Sequence, residues 1–220
     1  DKGSFTELVQ QVAVAADQCD IDPTYFEVLT AVSMLYFVKQ AVDIALIETG
    51  LGGRLDSTNI IHPIITVITC IAHDHTHLLG DTLEEIAAEK CGILKQGVPL
   101  VSYCQTPEVD EVIRTHAEKL EVSVHTVGGT LEFSHRFGAS AGRAPHCRVC
   151  LATRTQQYMH LPVPLPGDHQ AVNCGMAIAA VDLLDELGFP VEEVQMLRGL
   201  ETIKIPGRMD LVSQVPKILV

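Results

Sequence analysis

Two uninterrupted apolar runs, Val42 to Glu48 and Ile64 to Ala72, constrain the fold more than any other feature of the chain. Neither alternates with polar residues, so neither suits a strand with one wet face. Both suit central strands of a parallel sheet that is covered on each side. The flanking segments keep the same rhythm. Ser4-Phe5-Thr6-Glu7 has the spacing of a capping box and predicts a helix from about Ser4 to Gln18. Asp22-Pro23 predicts a second, with Asp22 as N-cap and Pro23 in the first turn, running to about Lys39. Thr82-Leu83-Glu84-Glu85 is another capping box and predicts a helix to about Leu94. A strand over Val98 to Tyr103, a helix over Pro107 to Lys119 and a strand over Val122 to Val127 follow. Such alternation implies an α/β fold: a mostly parallel open sheet flanked by helices.

The character changes near Gly128. From there to Met159 the segments are short and alternating, which predicts a small antiparallel β subregion of hairpins beside the main sheet. Helical patterning returns from about Asp168 to Leu187, and Pro190 opens another short helix. No internal repeat or low-complexity tract interrupts the chain.

With 220 residues and 47% hydrophobic content, the chain has core material for one large domain. A formal charge of −13 argues against nucleic acid or an anionic membrane as partner, since both need clustered Lys and Arg. Seven cysteines are an odd number, and several sit inside apolar periodic segments as buried free thiols do. This points to a reducing, cytoplasmic setting rather than a disulfide framework. No apolar run is long enough to span a bilayer.

Three side chains in the stretch from Val42 to Lys95 suit a cation site. Glu48 ends the first apolar run beside Gly50, Gly52 and Gly53, where a carboxylate at the carboxyl end of a strand faces the ligand crevice of an open sheet. His75 lies in His73-Asp74-His75-Thr76-His77, after the second run. Imidazole binds divalent cations, and an H-x-H-x-H pattern also suits zinc or an amidohydrolase-type site. Lys90, in Ala87-Ala88-Glu89-Lys90-Cys91-Gly92-Ile93, fits a plain helix-surface ion pair with Glu85 or Glu89. Cys147-Arg148-Val149-Cys150, with His146 and His160, has the outline of a zinc knuckle, although one C-x-x-C is a weak signal.

The segments ETGLGGRLDSTN from Glu48, HDHT from His73 and LGDTLEEIAAEKCGI from Leu79 closely resemble the folylpolyglutamate synthase/dihydrofolate synthase family of the Mur ligase superfamily. Its members show a strand ending in Glu followed by GLGGRLDATN, a strand ending in LDHT, then LGDTLEEIAxEKAGI. The resemblance implies an ATP-dependent amide ligase. It would add L-glutamate to a carboxylate of folate or dihydropteroate through an acyl phosphate. It also implies that Glu48, His75 and Lys90, the last as a carbamate, hold Mg2+ and carry the catalysis, while Arg54, Asp56 and Asn59 shape the loop. Gly167-Asp168-His169-Gln170-Ala171-Val172-Asn173 resembles the family's GxHQxxNA segment and makes Asn173 an ATP contact, with His169 and Gln170 as supports. Pro206-Gly207-Arg208 matches PGR, whose Arg reaches the ATP phosphates. The chain departs from the pattern in having Ala72-His73 for Gly-Leu and Cys174 for Ala.

A phosphate loop of the GTNGKGS type is missing from the sequence and is expected upstream, and Lys217 to Val220 is expected to lead into a C-terminal domain beginning DGAHNP. On this expectation residues 1–205 are a partial middle domain and 206–220 a linker into the next. The chain is expected to be monomeric and to turn nothing over alone. Two rivals are a non-catalytic nucleotide- or folate-binding module and a metallohydrolase of the amidohydrolase type.

Overall fold

The computed structural model describes residues 2–140, 143–203, 205–207 and 211–219. It divides into two units, Asp1–His62 and Pro63–Val220.

The first unit holds helices α1 (Lys2–Cys19) and α2 (Tyr25–Gln40), packed on one another, and a 3-10 turn at Ser57–Ile60. Helix α1 is already under way at Lys2, so Ser4 lies within it and does not cap it. Helix α2 starts at Thr24 rather than Asp22. The Thr24 hydroxyl accepts from the Glu27 amide at 3.3 Å while the Glu27 carboxylate accepts from the Thr24 amide at 2.7 Å. That reciprocal pair satisfies two orphan donors, and the sequence signal of Asp22-Pro23 loses to it. Val42 to Glu48 is not the buried strand its composition predicts. It has no ladder partner among the described residues, and Leu46 is 95% exposed. An apolar run becomes a strand only where neighbouring strands take up its amides and carbonyls, and the described part of this unit contains no other strand.

The second unit is layered. Strands β1 (Thr66–Ile68), β2 (Leu100–Tyr103) and β3 (Val124–Val127) form a parallel sheet in that order. The expected strand over Ile64–Ala72 shrinks to three residues on the sheet edge, with Val67 exposed. Helices α4 (Leu83–Cys91) and α5 (Pro107–Lys119) cover one face. Here Ala87, Cys91, Leu94, Val109, Ile113 and Ala117 pack on Ile68 and Leu100. The neighbouring Val101 points the other way, as strand alternation demands, into a second core.

That second core is built on α6 (Asp168–Glu186), whose Ala171, Cys174, Met176, Ile178 and Ala179 are buried. Beyond it lies an antiparallel meander of β4 (Glu132–Ser140), β5 (Arg143–Ala152) and β6 (Gln157–Val163), the hairpins expected from the sequence. Its inner residues Val149, Leu151, Leu161 and Val163 complete the core with α6. Gly175 allows the close approach of the two layers, since a Cβ there would stand 2.6 Å from Cε2 of Phe133. Buried Asp182 of α6 ties them together by accepting from Thr155 Oγ1 at 2.7 Å and from the Tyr158 hydroxyl at 3.3 Å. Burial first, and then the Asp182 carboxylate, push the Tyr158 phenol up to about 12. A short helix α3 (Thr76–Leu79) precedes α4, α7 (Glu193–Thr202) packs on β6, and β7 (Leu211–Gln214) pairs antiparallel with β8 (Lys217–Leu219).

Candidate functional site

In the first unit the Asp56 carboxylate braces the loop after Glu48. Asp56 accepts from the amides of Leu51 and Thr58, each at 2.9 Å, and from the Thr58 hydroxyl at 2.5 Å. Burial alone would raise its carboxyl, but these hydrogen bonds outweigh it and hold the group below the ordinary Asp range. Asn59 Nδ2 donates to the Arg54 carbonyl at 3.0 Å across the same loop. Gly50 sits against the Phe26 ring, where a Cβ would stand 2.4 Å from Cζ. The roles expected for Asp56 and Asn59 in shaping this loop are therefore realised. Glu48 is exposed.

In the second unit the His75 backbone is left-handed, φ 49°, at the start of α3, with no side-chain capping bond. Its Nε2 lies 3.7 Å from Asp74 Oδ1, and its ring meets that of His77 edge-on with centroids 6.3 Å apart. Helix α3 packs against α4. The junction depends on Gly80, φ 119°, because a Cβ there would stand 2.4 Å from the Glu85 Cβ.

Lys90 lies on the flank of α4, partly buried, one residue from the inward-facing Cys91. Burial raises the Cys91 thiol to about 11, which keeps it protonated and apolar. The helix is fixed at its start by the capping box read from the sequence: the Glu85 amide donates to Thr82 Oγ1 at 3.2 Å, and Glu85 Oε2 accepts from the amides of Asp81 and Thr82. Glu85 lies five residues before Lys90 on α4, outside the three- or four-residue spacing that brings helix side chains together.

The chemistry of these donors fits a hard cation in part. A carboxylate oxygen suits Mg2+, an exposed imidazole can accompany it, and an ammonium cannot ligate unless it is first converted to an oxygen donor. Among the described residues no three His, Cys, Asp or Glu side chains gather tightly enough to hold a metal ion by themselves. His73, His75 and His77 are thus not a ready zinc site. The zinc-knuckle outline also dissolves. Cys147 is buried on the inner face of the meander, its thiol 3.6 Å from the Gly167 carbonyl, whereas Cys150 contacts His160.

The segment from Gly167 to Asn173 opens α6. Gly167 is its N-cap at φ 108°, and the His169 ring lies over it so closely that a Cβ would stand 2.8 Å from Cε1. His169 and Asn173, four residues apart, are both exposed on α6, while Gln170 turns inward and is buried. One partner escaped the sequence: His135 of β4 reaches Asp168 at 3.2 Å from 33 positions away. No local pattern signals such a pair. Arg208 lies outside the described residues.

A parallel sheet covered by helices on one face, and by a helix backed with an antiparallel meander on the other, defines a layered α/β protein. The chain belongs to the Mur ligase middle domain family, which it matches over residues 3–181. It is 37% identical to a dihydrofolate synthase/folylpolyglutamate synthase of Bacillus subtilis over 97% of its length and 50% of that protein's. It is 33% identical to a folylpolyglutamate synthase of Lacticaseibacillus casei over 92% and 47%. Folylpolyglutamate synthase of Mycobacterium tuberculosis, complexed with ADP and AMPPCP, superposes with a TM-score of 0.87 at 28% identity, covering all of this chain and 51% of that one. An FPGS–AMPPCP–folate complex gives 0.85 at 31% identity over 96% and 50%. The chain thus spans about half the length of these relatives. No described helix is long and apolar enough to cross a membrane.

Proposed function

We propose that this chain is the nucleotide-handling part of an ATP-dependent amide ligase that joins L-glutamate to a carboxylate of folate or dihydropteroate. ATP phosphorylates the carboxylate, the glutamate amine attacks the acyl phosphate, and inorganic phosphate leaves. The supporting observation is the match along nearly the whole chain to proteins named for this activity, two of which carry an ATP analogue in their structures.

In this proposal Asn173 reads the adenine edge from the exposed side of α6. His169 packs over Gly167 and orients the turn, and buried Gln170 anchors the helix beneath it. Arg208 reaches the phosphates. Glu48, His75 and Lys90 hold Mg2+, Lys90 after its neutral amine has taken up carbon dioxide as a carbamate and released a proton. The chemistry a Mg2+ ion held by these residues would supply is positive charge opposite the transferring phosphoryl group. Asp56 keeps the loop that follows Glu48 in one shape. The enzyme works in the cytoplasm as a monomer on small-molecule substrates.

Asn173→Ala separates recognition from folding, because the side chain is exposed and Ala favours the helix. In calorimetric titrations of the intact protein the variant should bind ATP about tenfold more weakly, the worth of one good hydrogen bond. Folate binding should be unchanged. An unaltered ATP affinity would remove Asn173 from the nucleotide site.

A further inference from the structure

The outer face of the meander carries a group of side chains that ligase chemistry leaves unused. Strand register places Arg136 of β4 directly opposite Arg148 of β5, so their Cβ atoms are about 5 Å apart on one face. Two like charges so placed repel, a costly arrangement unless an anion joins them. Neither guanidinium has an ion pair or hydrogen bond among the described residues, in a chain of net charge −13. Ser134 and Cys150 form the next pair in the same two rows, about 7 Å further along the strands. Glu132, an acid in the β4 row, stands beyond Ser134, at the opposite side from Arg136.

Cys150 is also where the β5–β6 ladder breaks. Val149 pairs with Leu161 and Leu151 with Tyr158, so Met159 and His160 both face the single residue Cys150, and His160 takes a left-handed φ of 56°. The bulge turns two nitrogens of one residue onto the sulfur. The His160 amide donates to Sγ at 3.3 Å, and Nδ1 lies 3.4 Å from it. His160 is exposed and Cys150 half-buried, so this thiol with its adjacent base opens to solvent beside the arginine pair.

We propose that this face is a thiol-modification site, at which Cys150 reacts with anionic low-molecular-weight disulfides that Arg136 and Arg148 attract. The S–H proton passes to His160 Nδ1 as the sulfur attacks one sulfur of the disulfide. A new S–S bond forms to Cys150 and the old one breaks. The departing thiolate takes the proton from His160. One protein thiol is oxidised to the mixed disulfide, half of the small disulfide is reduced to its thiol, and no further oxidant is needed. Among the described residues no other cysteine has an imidazole hydrogen-bonded to its sulfur. Cys91, Cys147 and Cys174 are buried, Cys70 is exposed without such a base, and Cys104 Sγ lies 4.0 Å from the Asp110 carboxylate. Exposed Cys19 serves as an internal reference.

The test is mass-spectrometric measurement of modification rates at each cysteine of the intact protein. The probes are oxidised glutathione, which is anionic, and bis(2-hydroxyethyl) disulfide, which is neutral. Glutathione should modify Cys150 about tenfold faster than Cys19, a preference that fades in 1 M salt as the arginine field is screened. R136Q/R148Q should slow glutathione about tenfold at Cys150 and leave the neutral disulfide untouched, whereas H160Q should slow both. The salt series uses unmodified protein and so does not depend on any variant folding. Equal rates at Cys150 and Cys19 with glutathione, or a salt-independent rate at Cys150, would overturn the proposal. An arginine variant that slowed both probes equally would do the same.

Discussion

Lys90→Ala in the intact enzyme should lower glutamate-dependent turnover by at least about a hundredfold, the usual effect of removing one electrostatic stabiliser from a phosphoryl-transfer site. The expectation comes from the resemblance of the Lys90 segment to the family's EKAGI pattern, and α4 gives the residue a rigid support. A capping box at Thr82 and Glu85 fixes the helix start, and Ile86, Ala87 and Cys91 fix its inner face. Lys90 is partly buried on that rigid support. A merely structural lysine on such a helix would lose little on truncation, since exposed ion pairs contribute about 0–1 kcal/mol. Short carboxylic acids added to the variant should restore part of the rate by supplying the lost oxygen donors. Wild-type rates from Lys90→Ala in bicarbonate-free buffer would end the carbamate assignment and leave the residue a surface cation.

Leu100→Ala should be the most damaging change to stability, at about 2–5 kcal/mol. Leu100 is fully buried on the middle strand of the parallel sheet, within the cluster formed with α4 and α5. Both of its neighbouring strands pair with it, Thr66 on one side and Val124 on the other, so the backbone cannot collapse into the cavity left behind. A calorimetric melt should show Tm falling by roughly 10 °C. A shift of only a degree or two would mean that the second unit does not depend on this sheet for its cohesion.

Much of the second unit was legible in the sequence, because its signals are local. Pro107 at a first turn predicted α5 to the residue, and Thr82-x-x-Glu85 predicted the start of α4. Short alternating segments after Gly128 predicted the meander. The first unit was harder. Val42 to Glu48 has the composition of a buried strand, but pairing depends on neighbours that a composition cannot reveal. Asp22 lost the cap of α2 to Thr24 because Glu27 completes a reciprocal pair only with the latter.

Motif matching singles out individual side chains, Glu48, His75, Lys90 and Asn173, as proposals, yet it is blind to contacts made by the fold. His135 meets Asp168 across 33 residues, and Cys150 meets His160 only through a bulge. Strand alternation removes the C-x-x-C at Cys147 as a chelate, because two residues three apart on β5 point to opposite faces of the meander.

The most direct measurement of the proposed ligase chemistry follows the oxygen atoms. Dihydropteroate or folate labelled with oxygen-18 in the reacting carboxylate is turned over by the intact enzyme with ATP and L-glutamate, and the inorganic phosphate is analysed by mass spectrometry. An acyl phosphate route predicts one labelled oxygen in each phosphate released, formed only when the carboxylate substrate is present. Unlabelled phosphate accompanying amide formation would contradict it.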